Sequence, residues 1–406
     1  MNFTPLEKTN SEINAIKTDT AEESSLRGFA ERVKDVSPSA TLAITSRAKE
    51  IKKKGKKIIN FAAGEPDFDT PDFIKQKAIK ALKQGWTKYT PVSGVDELKD
   101  AIIYKFKQEN NLNYNRSQIL VSAGAKQALY NFFQAVCEEE DEVIIPSPYW
   151  VSYPEIVRLC SAIPVIVPTE PDNDFKLSPT LLKTFLSPKT KAIILNSPAN
   201  PTGVVYSPSE LAQIGEIAVR NNIYIVSDEI YERLIYEKEH ISIASLDLDV
   251  YKLTVVINGV SKSYAMTGWR IGYAAGRQEI ISKMTIIQSH STSCANSIAQ
   301  YAAVAALKNQ DYPQRILSEF KIRRDYIMKK LDEIKISYVK PDGTFYIFCK
   351  IGGDSRSFAL ALLEEEGVAV VPGIAFGKEG WVRISFATSL EEIEEGMKRL
   401  GRFIKK

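Results

Sequence analysis

The stretch Thr254–Ala275, TVVINGVSKSYAMTGWRIGYAA, places two short apolar runs either side of a polar loop. Thr254–Ile257 and Ile271–Ala275 are too short for helices and too apolar for a half-exposed strand, so both read as buried strands. Between them lies Lys262, flanked by Ser261 and Ser263. A lysine among hydroxyls, just beyond a strand end, suits Schiff-base chemistry, which needs a neutral amine. On position alone, a surface charge is the commoner reading.

The same pattern extends outward along the chain. Ile119–Ser122, Glu142–Pro146, Pro164–Val167, Ala192–Leu195 and Ile223–Ser227 are further short runs rich in Val and Ile, making seven with the two above. Helical stretches such as Lys126–Cys137, Thr180–Leu186 and Ser209–Arg220 separate most of them. This alternation predicts an α/β fold whose large domain holds a mostly parallel, seven-stranded sheet between helices. After about residue 305 the pattern changes. Charged helical segments, Pro313–Ile334 and Leu390–Phe403, flank strand-like runs at Thr344–Cys349 and Trp381–Phe386, which reads as a smaller α+β domain. The expected division is an N-terminal extension over 1–27, a segment over 28–60 that packs with the small domain, a large domain over 61–304 and the small domain over 305–406. A helix is expected from Ala40 to Lys57, ending at Gly55, with its lysines suited to the negative end of the dipole.

Composition narrows the function. The 406 residues carry 53 basic and 50 acidic side chains, a balance unlike that of a nucleic-acid-binding face. The four cysteines, Cys137, Cys160, Cys294 and Cys349, form no C-x-x-C pair, which fits a reducing, cytoplasmic setting without structural zinc or disulfides. With only His240 and His290, a histidine-rich metal site is excluded. No run approaches the roughly 20 apolar residues of a membrane span, and the acidic N-terminal residues do not resemble a signal or transit peptide.

In an open parallel sheet, ligands bind beyond the carboxyl ends of the strands, so the polar residues there matter most. Asp228 follows the run Ile223–Ser227. It could cap a helix, or hold a protonated ring nitrogen of pyridoxal phosphate (PLP). Asn200, in Ser197-Pro198-Ala199-Asn200-Pro201-Thr202-Gly203, sits in a turn that could lay an amide over a ligand. Gly124, Ala125 and Lys126 open a helix, where backbone N–H groups can receive a phosphate. Arg270 and Arg383 are candidate clamps for phosphate or carboxylate. The nucleotide-binding glycine motifs and the G-x-S-x-G elbow are absent.

Taken together, these residues resemble the class I/II PLP-dependent aminotransferases, of PLP fold type I. The most specific match is Ser261–Gly272. Gly124-Ala125-Lys126, Asn200-Pro201-Thr202-Gly203, Asp228-Glu229-Ile230-Tyr231 and Arg383 follow the family order, over about residues 28–405. Within the family, the bacterial I-beta aspartate aminotransferase subgroup is most similar, through Pro38–Thr41, Ala63–Pro71 and Ser147–Pro154. The resemblance implies that Lys262 forms the Schiff base with PLP and moves the α-proton, that Asp228 pairs with the ring nitrogen, and that Asn200 and Tyr231 contact the ring hydroxyl. It implies that Trp150 stacks on the ring and that Gly124, Ala125, Ser261 and Arg270 bind the phosphate. Tyr89 is implied to reach the phosphate from a second subunit of a homodimer. For the substrate it implies Arg383 on the α-carboxylate, with contacts from Gly64, Trp150 and Asn200.

The expected reaction is amino transfer between L-aspartate and 2-oxoglutarate. Lys126 stands where the subgroup keeps a lysine for the second carboxylate, and a cation at a helix start is mildly unfavourable, which favours a functional reason for it. Ser37 stands where relatives that accept prephenate often carry Lys. The alternatives are transfer from aromatic amino acids or prephenate, β-elimination on the same fold, and a non-catalytic regulator built on an aminotransferase-like domain.

Overall fold

The computed structural model describes residues 28–38, 40–53 and 55–405; the expected extension over 1–27 lies outside the described residues. Among the described residues, thirteen strands run in chain order: β1 (Ile59–Asn60), β2 (Ile119–Ser122), β3 (Glu142–Ser147), β4 (Ile163–Pro168), β5 (Thr190–Asn196), β6 (Tyr224–Asp228), β7 (Thr254–Gly259), β8 (Gly272–Ala275), β9 (Tyr338–Val339), β10 (Tyr346–Lys350), β11 (Val368–Ala369), β12 (Val371–Pro372) and β13 (Trp381–Ser385).

Seven of them form one sheet in the order β2-β8-β7-β6-β5-β3-β4. It is mostly parallel. Only β8 runs against both its neighbours, β2 and β7. All seven expected runs are in it; Ile119–Ser122 matches at both ends, and no end of the others is shifted by more than two residues. Ile271 falls outside β8 because Arg270, at φ 56°, turns the chain just before it.

Every residue of β2, β7 and β8 is buried, since helices cover both faces. Side chains alternate between those faces. Val121, Val256 and Tyr273 join a core with Leu98, Phe106 and Ala302 on one side. Leu120, Val255, Ile257 and Ala274 pack with Phe132, Phe133 and Met284 on the other. The period of two in the sequence therefore becomes two separate apolar layers.

The covering helices begin where local chemistry directs. The helix Pro208–Arg220 opens with a capping box between Ser207 and Glu210, with proline in its first turn. The helix Ala40–Lys53 ends sooner than expected. Gly55 takes φ 88° and its N–H bonds back to Lys52 O, which turns the chain.

The antiparallel sheet β12-β13-β10-β9 packs on the helices Asp311–Glu333 and Leu390–Ile404 around Phe320, Phe345, Ile347, Ile384 and Leu400. β1 pairs in parallel with β11 beside it. Backbone bonds join this unit to the large sheet's loops: Gly343 N to Gly203 O at 2.8 Å, Thr344 N to Leu234 O at 2.8 Å, and Tyr149 N to Phe376 O at 3.0 Å. These ties fix β13 over the carboxyl ends of β5 and β6.

Gly272 shows how closely β8 approaches the helix Ala125–Val136. A Cβ there would be driven into backbone atoms of Gly124 and Ala125, whereas one on Gly268 would meet nothing within 4 Å. Gly272→Ala is expected to destabilise the protein by about 1–3 kcal/mol, as overpacking does, while Gly268→Ala stays within about 0.5 kcal/mol of the parent in urea denaturation.

Candidate functional site

The parallel register sets Asn196, at the end of β5, beside Asp228, at the end of β6. Beyond them opens a cavity of about 450 Å³, lined in part by Gly64, Ala125, Lys126, Trp150, Asn200 and Asp228, and by Tyr231, Ser261, Lys262, Arg270, Tyr346 and Arg383. Of the residues singled out in the sequence, Gly124 lies just behind this wall. Tyr89 lies apart, 90% exposed in the single chain.

Asp228 is buried, and burial pushes its carboxyl up to about 6. The opposing influences are the Tyr153 hydroxyl, donating to Oδ2 at 2.7 Å, and the Ile230 N–H, donating to Oδ1 at 3.3 Å. That second bond closes a local turn; no helix starts at Asp228, so the helix-capping alternative is not realised. Asn196 Nδ2 holds the Asp228 carbonyl at 2.9 Å.

Lys262 extends into the cavity and donates through Nζ to Gly64 O at 2.5 Å. Burial, and then the charge of Arg383, pulls its pKa down to about 8. A useful fraction of neutral amine therefore exists near neutral pH, as the chemistry of an attacking lysine demands.

Arg383 projects from the middle of β13 and is 2% exposed. Its Nη1 donates to Asn200 Oδ1 at 3.1 Å and its Nη2 to Ala62 O at 3.0 Å. The guanidinium carbon lies 4.1 Å from the Tyr346 ring centroid. Its Nε has no partner, and no carboxylate among the described residues lies within ion-pair distance of it. A buried guanidinium without a counter-charge is costly unless an anion arrives.

A second anion-accepting region lies at the start of the helix Ala125–Val136. Gly124 takes φ 85°; the Gln127 N–H bonds back to Gly124 O at 3.1 Å, while the Ala125 and Lys126 N–H groups come before any intrahelical acceptor. Arg270 folds across Gly124, held by Thr267 O at 2.8 Å and Ala123 O at 3.3 Å. A side chain on Gly124 would collide with that guanidinium. Lys126 stands at the same rim, its Nζ 4.9 Å from the Trp150 ring centroid. Burial and the nearby Arg270 lower its pKa, and no acidic partner faces it among the described residues.

Three contributors escaped sequence reading. Tyr153 and Asn196 act through contacts to Asp228, and Tyr346 meets the Tyr231 hydroxyl at 3.1 Å. Asn196 was open to detection as the polar residue that ends an apolar strand. Nothing local marks Tyr153 or Tyr346, because their partners are distant in sequence.

The family described as "Aminotransferase class I and II" matches residues 56–400. The chain belongs to this family. Its similarity to an aspartate aminotransferase of Bacillus subtilis (strain 168) is 51% identity, covering 93% of this chain and 99% of that protein. A probable aspartate/prephenate aminotransferase of Aquifex aeolicus is 46% identical, over 92% of this chain and 98% of the relative. Among solved structures, the aspartate aminotransferase of Thermus thermophilus with maleate superposes with a TM-score of 0.89 at 42% identity, covering 93% and 100% of the two chains. The Rhizobium meliloti aspartate aminotransferase gives 0.90 at 40% identity, covering 94% and 99%. The class I/II enzymes are PLP-dependent, and this fold is PLP fold type I. The residues present fit that cofactor. A buried amine of lowered pKa, a buried carboxylate and a glycine-opened helix start beside an arginine line one cavity.

Lys262 has a consequence for stability. Its pKa falls from 10.5 to about 8 on folding, so between these values the folded chain holds fewer protons than the unfolded one. The cost of the buried ammonium is fully present below pH 8 and vanishes as pH rises through 8 to 10.5. Cofactor-free Lys262→Met is expected to be more stable than the cofactor-free parent at pH 7 by about 1–3 kcal/mol, solvent in the cavity screening part of the effect. In denaturant titrations that advantage should shrink steadily above pH 8.

Proposed function

We propose that this aminotransferase moves the amino group of L-aspartate to 2-oxoglutarate, giving oxaloacetate and L-glutamate. The observation that carries this reading is that, besides Lys262 and Arg270, which would serve the cofactor, the cavity holds Arg383 deep inside and Lys126 at the rim, neither with an acidic partner among the described residues. A dicarboxylic amino acid matches two such charges. The names of the Bacillus relatives and the maleate in the Thermus structure agree with it.

When bound, PLP supplies an electron sink for bond-breaking at the substrate α-carbon. Lys262 is the residue that would bond to it, and its Nζ, of lowered pKa, would be the group that moves the proton at the substrate α-carbon. Asp228 would be the counter-charge for the ring nitrogen, Asn200 and Tyr231 would hold the ring hydroxyl, and Trp150 would cover the ring. Gly124, Ala125, Ser261 and Arg270 would hold the phosphate, and in a homodimer Tyr89 of the partner subunit would join them. Arg383 grips the α-carboxylate with Asn200 behind it, the Gly64 backbone borders the substrate, and Lys126 receives the distal carboxylate.

We assign the chain to the cytoplasm, in keeping with its free cysteines; among the described residues no helix is long and apolar enough to cross a membrane. Its parts are an extension (1–27), a segment (28–60) joined to the small domain through β1 and β11, the large domain (61–304) and the small domain (305–406).

Lys126→Ala should lower kcat/KM for aspartate by about 1.5–3 kcal/mol, the worth of a hydrogen bond to a charged group, and should affect phenylalanine far less. Equal losses for both donors would remove the assignment to aspartate and leave an aromatic donor as the better reading.

The shared site implies a homodimer, and the 90% exposure of Tyr89 leaves it available to a partner. Mixed dimers of Tyr89→Phe and Lys262→Ala chains are expected to hold one site with both defects and one with neither. Full activity in a species that sediments as a monomer would be incompatible with this arrangement.

A further inference from the structure

We propose that a buried ionic network, Glu229–His240–Glu232–Lys105 with Arg233 and Glu109, positions Asp228 and Tyr231 relative to Lys262 from outside the cavity. The inference rests on the reading that those three residues do the chemistry.

The short segment from Asp228 to Arg233 has two destinations for its side chains. Asp228, Ile230 and Tyr231 line the cavity, while Glu229 and Glu232 are buried elsewhere, 1% and 9% exposed. Glu229 Oε1 accepts from the hydroxyls of Ser227 at 2.8 Å and Ser242 at 2.6 Å, and its Oε2 lies 3.1 Å from His240 Nε2. Glu232 accepts from Asn258 Nδ2 at 2.7 Å and Asn110 Nδ2 at 2.9 Å, and pairs with Lys105. Lys105 is itself fixed by Asn110 Oδ1 at 2.7 Å. Next along the chain, Arg233 forms a two-pronged pair with Glu109 and donates to the Tyr264 hydroxyl.

These contacts tie together the three pieces of chain that must stay in register. Asn258 lies on β7, the strand that leads into Lys262, so the Glu232–Asn258 bond links the Asp228 turn to that strand. Arg233 links the same turn to Tyr264, in the loop that carries Lys262. Lys105, Glu109 and Asn110 anchor both links to the last turns of the helix Asp96–Asn110. Ser227, Glu229, Glu232, Arg233 and Tyr264 all lie within two residues of Asp228, Tyr231 or Lys262 in sequence.

The charges also balance. Three acids, Glu109, Glu229 and Glu232, face Lys105, Arg233 and His240, and protonation of the imidazole makes the set neutral. Lys105 already fills the place a bound cation would take beside Glu232. Buried pairs of this kind add little net stability over well-packed apolar residues. What they do impose is direction, because each carboxylate oxygen has a fixed donor. Misplacing a reacting group by about 1 Å is enough to lose about 100-fold in rate.

The test uses the PLP-loaded enzyme and three variants: Glu232→Gln, His240→Gln, and the double variant Lys105→Met/Glu232→Gln. The double variant removes both charges yet leaves an amide oxygen for Asn258, and with His240→Gln it decides the matter if Glu232→Gln fails to fold. Four quantities are read: thermal midpoint, kcat, KM for aspartate, and the pH midpoint of the cofactor's visible absorbance band. The proposal expects the double variant to keep its thermal midpoint, lose about 10- to 100-fold in kcat with KM within about threefold, and move its absorbance midpoint by at least about 0.5 pH unit. His240→Gln should move the same two quantities in the same directions, by less. Unchanged kcat, or a kcat loss with an unmoved absorbance midpoint, overturns it, because a merely structural network would alter only the thermal midpoint. Asp228→Ala, measured in parallel, separates the premises. If that variant turns over normally, the site reading and this proposal fall together. If it is inactive while the network variants are normal, only the positioning role falls.

Discussion

The buried positive charge of Arg383 is the constraint around which the site is arranged. It sits on β13, an inner strand of the small sheet, 2% exposed, with an unpartnered Nε and only an amide and a backbone carbonyl as acceptors. Lys262 lies near enough for that charge to depress its pKa further, and the nearby Glu65 and Asp228 offset it only in part. Such an arrangement persists only where the surrounding structure holds it in place, and here it is held by two cores meeting at the strand ends. The cost is a standing demand for anions, and an amino acid carboxylate with a phosphorylated cofactor meets it.

The rigidity comes from both sides of the cavity. On the large-sheet side, the parallel register brings Asn196 and Asp228 level, and Tyr153 and the Ile230 N–H fix the Asp228 carboxylate. On the other side, backbone bonds from Gly343, Thr344 and Tyr149 clamp the small unit to the loops after β5, β3 and the Asp228 turn. Asn200 touches both sides at once, since its own N–H bonds to Asn196 while its side chain receives Arg383.

Electrostatics sorts the ionisable groups by task. Burial raises the Asp228 carboxyl to about 6 and lowers the Lys262 amine to about 8, drawing two groups that normally titrate far apart toward neutrality. A positively charged ring nitrogen beside Asp228 would favour its ionised form again. Lys126 differs from both, standing at the rim beside Trp150, where a flexible point charge can follow substrates of different length.

The sequence by itself determined the seven strands of the large sheet, because short Val- and Ile-rich runs interrupted by helical segments have few other ways to be buried. It also made legible much of the cavity's lining: Ala125, Lys126, Asn200, Asp228 and Lys262 because residues that follow strand ends are brought to one edge of a parallel sheet, and Gly64, Trp150, Tyr231 and Arg383 through the family resemblance. Segments that depend on backbone turns were less legible: the helix from Ala40 stops at Lys53, and β8 starts one residue late after the left-handed Arg270. The antiparallel placement of β8, the Tyr153 bond to Asp228, the Tyr346 contact with Tyr231 and the pairing of Arg383 with Asn200 were decided only by the tertiary structure. Each joins residues far apart in the chain. Their distances follow from how the two cores pack, and no local pattern of propensity or polarity encodes that packing.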